Sequence, residues 1–368
     1  MSEVYNLMKP YSDDELWDLG IHETQTNSIY LLGRKQMVEH TDLIRTMTQD
    51  PTVTVVFGNS SEGSKTVIDQ LRVLKIEDLV LSGKLLLLSG GDLAPEYPYL
   101  LHEHFLTHIL DYNENILAQQ RTGEIFVKKD KPHKFLFLNG RARPHRKYLL
   151  ERFRQLGVLD SAIWTMLDGR KSKNTYFDLV ENGADLINQN TAIKHLPSEY
   201  EFKFFKNKSI ALDHPHKFAK NELFDAHWGE IYLEPAPYID TYFSLVTETV
   251  FEYPYSFRTE KIAKPLAMGH PWICATSMGF YRDIQNLGFQ TFGHVIDESF
   301  DTIENHQDRM ERVALIVKDL CQQDLASFLA ACYNVCKYNQ QHLAEMRPRV
   351  RGQFPGRFLE FIKKYTNE

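Results

Sequence analysis

At 368 residues the chain is too long for one ordinary core and suits two domains. Its composition, 43% apolar, 25% charged and 12% aromatic, is that of a globular protein, and no apolar run approaches the roughly eighteen residues a membrane span requires. The formal charge of −7 repels duplex DNA on average, so a nucleic-acid partner would need a local basic patch. The N-terminal stretch has acidic residues where a secretory signal would have a basic and then an apolar region, which predicts a cytoplasmic protein. Cys274, Cys321, Cys332 and Cys336 are too few and too unevenly spaced for a disulfide framework, contain no CxxC pair, and read as reduced core thiols.

In chain order, residues 28–32 read as a strand, 35–49 as a helix, and 52–57 as a β-branched strand ending in a polar turn at 58–61. Helical spacing over 65–74 precedes the apolar strand 84–89, which enters the turn Gly90-Gly91-Asp92; residues 99–118 then read as a helix. Continuous apolar strands alternating with helices imply a parallel sheet covered on both faces. Residues 1–128 form the expected first domain, with the polar, proline-terminated stretch 128–132 as linker and 129–368 as the second domain.

The pattern restarts with a strand at 134–138, a turn at Asn139-Gly140, a helix over 144–156 with Pro144 at its first position, and a strand at 162–167. Residues 170–235 show few clear periods. A strand at 242–246, a helix at 259–268, a strand at 272–275 and a helix at 279–287 follow. Two long helices are expected at 301–322 and 324–346, and a last one at 357–365 that suits either domain. The fold class is α/β, two Rossmann-like doubly wound domains.

Two segments carry chemistry. The first, FLNGRARPHRK (137–147), is a strand, a glycine and a helix start with Arg141, Arg143 and Arg146. Free N–H groups at a helix N-terminus and guanidinium forks suit a diphosphate, and those three arginines are its candidates. A solvated basic helix start would give the same pattern. The spacing is neither that of a P-loop nor a full GxGxxG. The second segment runs from 243 to 281: a strand ending at Thr247-Glu248-Thr249, a loop, Arg258-Thr259-Glu260-Lys261 opening a helix, Gly269-His270-Pro271 closing it, and another strand. Carboxylates suit sugar diols because each accepts two hydroxyl hydrogens, while Lys and Arg suit a leaving diphosphate. An ordinary capped helix start reads the same way.

The order strand, Glu-x-Ser/Thr, loop, Thr-Glu-Lys, helix, Gly-x-Pro, strand resembles the donor-binding motif of α-1,3-fucosyltransferases and related GT-B glycosyltransferases. It also resembles the fucosyltransferase-like and exostosin-like proteins of phages and large viruses. The resemblance covers residues 134–165 and 242–312 best and leaves the first 128 aside; Glu248-Thr249-Val250 stands where family members carry Glu-Asn-Ser. It implies a GT-B architecture and a nucleotide-diphosphate sugar as co-substrate, with no further cofactor or metal. It also implies inversion at the anomeric carbon. Carried over by position, Glu248 and Glu260 would contact nucleotide or sugar hydroxyls, Lys261 and Arg258 would face the diphosphate, and Thr259 would cap the helix.

Transfer needs a base for the acceptor hydroxyl. Asp92, just past the first domain's most apolar strand, is the first choice and Glu96 the second, although an Asp after Gly-Gly is also a common turn former. His102 and His104 on one helix would point apart, and His214, His216 and His145 lack further ligands at convincing spacing, so no metal site is expected. The expected function is therefore sugar transfer to an acceptor hydroxyl on a glycan, a protein or a modified nucleic acid. An inactive nucleotide-sugar or phosphate-binding protein and a DNA-base glycosyltransferase remain as alternatives.

Overall fold

A computed structural model describes residues 28–59, 64–103, 106–107, 109–110, 123–141, 143–168, 193–195, 233, 235–252 and 255–366. They form a mixed α/β chain with two largely parallel sheets. Its described residues group into two compact units, one within Met1–Phe105, Pro254–Phe257 and Glu345–Glu368, the other within Leu106–Tyr253 and Arg258–Ala344.

In the first unit β1 (Ser28–Leu32), β2 (Val53–Asn59), β3 (Leu85–Ser89) and β4 (Tyr99–Leu101) lie side by side in that order, all parallel. Helices α1 (Arg34–Glu39), α2 (Thr41–Met47), α3 (Ser64–Val73) and α4 (Glu77–Leu81) connect them. When every step runs the same way along a sheet, right-handed crossovers bring their helices to one face. Met37, Ile44, Ile68 and Leu79 accordingly share a core with Phe57, Leu85 and Leu87. The alternate residues Leu31, Val56, Leu86 and Leu88 pack instead on Phe354, Phe358 and Ile362, near the chain's end. Burial of both faces explains why β3 is apolar at successive positions.

Three expectations for this unit change. Residues 99–101 are a strand, with Leu87–Ser89 as parallel partners, rather than the start of a helix over 99–118. Pairing with β3 fixes them as a strand, and the carbonyl of Pro98, just before them, accepts the N–H of Leu87 at 3.3 Å. Most of 104–122 lies outside the described residues, His104 included. The helix expected over 35–49 is two helices, broken at His40 (φ −130°, ψ 32°). Gly58 and Asn59 continue β2 rather than opening a turn.

The second unit begins with α5 (Glu124–Val127), β5 (Phe135–Arg141), α6 (Pro144–Gln155), β6 (Ala162–Asp168) and the short β7 (Ile193–His195). It continues with α7 (Ala236–Ile239), β8 (Phe243–Thr247), α8 (Glu260–Met268), β9 (Trp272–Ala275), α9 (Phe280–Asn286) and α10 (His306–Leu320). The sheet order is β7-β6-β5-β8-β9, with only β7 antiparallel among the described strands. From β5 the chain builds outward through β6, then returns to place β8 on the opposite side of β5. The strand order therefore reverses between β5 and β8. The expected linker is anchored within this unit: Lys128 pairs with Asp240, and Lys131 Nζ donates to the Ile239 carbonyl at 2.5 Å.

Two more expectations change here. Asn139 and Gly140 lie inside β5, paired with β6 on one side, and do not form a turn. The helices expected at 324–346 and 357–365 are one, α11 (Leu325–Thr366), which runs through Pro348 and Pro355. Each proline forfeits a backbone hydrogen bond, and the burial of Phe354, Phe358 and Ile362 on the first sheet offsets that loss.

Candidate functional site

In an open α/β sheet, ligands bind beyond the carboxyl ends of the strands where strand order reverses, because the loops leaving the two central strands turn to opposite faces. Here those strands are β5 and β8, and the loops leaving them are the two segments that carry chemistry. The backbone pairing shows the two strands parting. β5 stays registered with β6 as far as Arg141 opposite Asp168, but pairs with β8 only at Phe135–Phe243 and Leu136–Ser244.

Side chains take over where the β5–β8 ladder stops. The Thr247 hydroxyl donates to Asn139 Oδ1 across the gap. Arg146, in the first turn of α6, donates to the carbonyls of Thr247 (2.9 Å) and Glu248 (3.3 Å), and His145 Nε2 meets the Glu248 carbonyl at 2.9 Å. These carbonyls, buried and beyond the ladder, would otherwise carry a desolvation cost of about 1–3 kcal/mol each. Arg146, only 2% exposed, thus stands in for a strand partner and holds the end of β8 to α6.

Glu248 has no exposed surface, and its carboxylate binds the next helix. It accepts the Thr259 N–H at 3.0 Å, the Thr259 hydroxyl at 2.7 Å, the Ile262 N–H at 3.3 Å and the Thr249 N–H at 3.2 Å. The first three fix the start of α8, where N–H groups have no helical partner. Burial pushes the Glu248 carboxyl up from its usual range, against the opposing pull of Lys261. Thr259 Oγ1 in turn accepts the Lys261 N–H at 3.2 Å, so Thr259 is the N-cap expected of it. Glu260 pairs with Lys261. Burial raises the Glu260 carboxyl, yet the charge and hydrogen bond of Lys261 outweigh it and leave the group below its ordinary value.

No family model, curated protein or solved structure matches the chain.

The candidate residues therefore divide. Arg143, Arg146, Glu248, Arg258, Thr259, Glu260 and Lys261 belong to the second unit with the backbone of Arg141, and the two segments meet through Glu248: its carbonyl contacts α6 and its carboxylate α8. Arg146, Glu248 and Arg258 are buried, and for the first two the hydrogen bonds are to the protein's own backbone and to Thr259. Half-buried Arg143, at the N-cap of α6, and Lys261, whose side chain is 21% exposed, are the cations with an open side. Asp92 and Glu96 belong to the first unit. The Asp92 N–H donates to the Ser256 carbonyl at 2.7 Å, Asp92 Oδ1 accepts from Tyr99 at 3.4 Å, and Glu96 is exposed.

Other residues of this edge were not foreseen. Arg309, from α10, is buried and donates to the carbonyls of Thr276 (2.8 Å), Phe251 (2.8 Å) and Ile303 (2.6 Å), holding the loops after β8 and β9 together. Burial lowers its pKa to about 10. The ring of Phe251 lies 4.7 Å from His145 and 5.3 Å from His306. Nothing in the spacing of Arg309 distinguished it from a solvated helical arginine. Among the described residues no group of three His, Cys, Asp or Glu could hold a metal ion, and no helix is long and apolar enough to cross a membrane. His214 and His216 lie outside those residues, and His102 follows β4 with its ring 4.4 Å from Phe354.

Proposed function

We propose that this chain is a glycosyltransferase of the GT-B kind that binds a nucleotide-diphosphate sugar at the carboxyl edge of its second sheet. One observation carries the reading: the strand-order reversal brings the β5–α6 and β8–α8 loops together, so two helix N-termini open at one strand gap. The first turn of α6 holds Arg146 and Lys147 and no carboxylate, a charge distribution that repels itself at the positive end of a helix and favours an anion. Arg143 and Lys261 are the residues we assign to the diphosphate, with Glu260 accepting sugar hydroxyls. The buried residues Arg146, Glu248 and Arg258 position those groups.

In the reaction, a base withdraws the proton of an acceptor hydroxyl, whose oxygen attacks the anomeric carbon while the bond to the diphosphate breaks. Negative charge grows on the leaving diphosphate, and fixed cations stabilise that charge more than the ground state. Arginine and lysine fill the role a divalent ion plays elsewhere, and attack opposite the leaving group inverts the anomeric carbon. Asp92 is the first choice for the base and Glu96 the second, from their place beyond β3.

A thermal-shift series with GDP-, UDP-, CMP- and dTDP-sugars tests the reading. One donor class raises the melting temperature of the wild type and fails to do so for Lys261→Ala. Melting temperatures unmoved by every donor class, with no transfer from any of them, overturn it.

A further inference from the structure

At the base of the gap between β5 and β8, two buried side chains each carry a polar atom without a hydrogen-bond partner among the described residues. Asn139 is 2% exposed; its Oδ1 accepts from Thr247, and its Nδ2 has no hydrogen-bond partner among the described residues. Turning the carboxamide over exchanges the two atoms and leaves the other one alone. His145 has no exposed surface; its Nε2 faces the Glu248 carbonyl, an acceptor, and must carry the proton. Burial and the neighbouring Arg146 hold its pKa well below the ordinary value, so the ring is neutral and Nδ1 is a bare acceptor. Nδ1 also has no partner among the described residues.

Both groups stand at the end of β8, Asn139 against the side chain of Thr247 and His145 against the carbonyl of the next residue, Glu248. A buried polar atom without a partner costs about 1–3 kcal/mol, and two such atoms at one strand end mark a place built for a group outside the chain. A diphosphate supplies acceptors only and cannot satisfy His145 Nδ1. A hydroxyl donates its one hydrogen to the imidazole and, with its lone pairs, accepts from Asn139 Nδ2.

We propose that Asn139 and His145 form a sugar-hydroxyl subsite that reads a hydroxyl of the bound nucleotide sugar, at the base of the gap and apart from the cations assigned to the diphosphate. This inference rests on the donor site under "Proposed function". The hydroxyl belongs either to the ribose or to the transferred sugar, and both offer the same chemistry.

Calorimetric titration of the full chain tests it with two pairs of probes. GDP and UDP are compared with their 2′-deoxy forms, and GDP- and UDP-hexoses with deoxyhexose analogues. In the wild type one pair shows a loss of about tenfold or more on removing the hydroxyl, and that pair identifies the source. In Asn139→Ser and in His145→Phe, which keeps a ring against Phe251, the difference shrinks to within about threefold. Either variant that retains a cooperative melt decides the matter, and should neither melt cooperatively, the wild-type pairs decide it. Equal affinities within both pairs mean that only water occupies the subsite and overturn the proposal while leaving the donor site standing. A difference that persists in a folded variant also overturns it. Absence of binding by every nucleotide overturns the donor site and this subsite together.

Discussion

The carboxylate of Glu248 holds Thr259 twice, taking its N–H at 3.0 Å and its hydroxyl at 2.7 Å. Eleven residues apart in sequence, the two join the end of β8 to the start of α8. A carboxylate that looks like a sugar contact in the sequence is, in the fold, the clamp on a helix N-terminus.

Glu248→Ala is therefore expected to lower stability before it alters chemistry. The variant leaves the N–H groups of Thr259 and Ile262 buried without an acceptor, a cost of about 2–3 kcal/mol. Denaturant unfolding measures it as a lower midpoint. An unchanged midpoint would show that the clamp contributes nothing to stability.

Arg146→Met and Lys261→Ala separate holding from binding. Removing Arg146 strips the buried carbonyl of Thr247 of its side-chain donor and leaves that of Glu248 with His145 alone, so unfolding free energy falls by about 1–3 kcal/mol and nucleotide affinity falls with it. Lys261 is partly exposed, pairs with its neighbour Glu260 and donates to Thr259 Oγ1 at 3.4 Å, so its loss changes stability by less than about 1 kcal/mol. Its loss weakens nucleotide-diphosphate binding about tenfold or more. Equal effects of the two substitutions on the melting temperature would contradict this division.

His270 predicts a pH dependence. Its ring is buried between the Ser244 hydroxyl (2.9 Å) and the Thr241 carbonyl (3.0 Å), and burial lowers its pKa to about 3. The unfolded chain takes up a proton near pH 6.5, whereas the folded chain does so only near 3. The neutral ring's contribution is thus complete above pH 6.5 and is lost as pH falls from there towards 3, at ~1.4 kcal/mol per pH unit. His145 acts in the same direction. Chemical denaturation at pH 7, 6 and 5 is expected to give falling stabilities, and His270→Gln a shallower fall.

Phe358→Ala tests how the first sheet is covered. Phe358 is 1% exposed and shares a core with Leu86, Leu88 and Leu100, so truncation costs about 3–5 kcal/mol. A loss under 1 kcal/mol would mean that α11 does not cover that face.

The strands β1, β2, β3, β5, β6, β8 and β9 were legible in the sequence because each is a run of apolar residues long enough to fix its own conformation. So was the N-cap Thr259, a local effect of one hydroxyl on a helix start two residues ahead. The three-residue strand β4 was not, since Tyr99-Leu100-Leu101 is too short to show a period and becomes a strand only beside β3. The two motifs were also legible, but not the work of their residues. Burial and long-range hydrogen bonding assign those roles: they turn Arg146 and Glu248 inward to the backbone and leave Asn139 and His145 with unmet polar atoms. Sequence decided which groups stand at strand ends and helix starts, because those preferences act over a few residues. Only the reversal of strand order between β5 and β8 decided which of them meet, because it joins segments a hundred residues apart and removes water from between them.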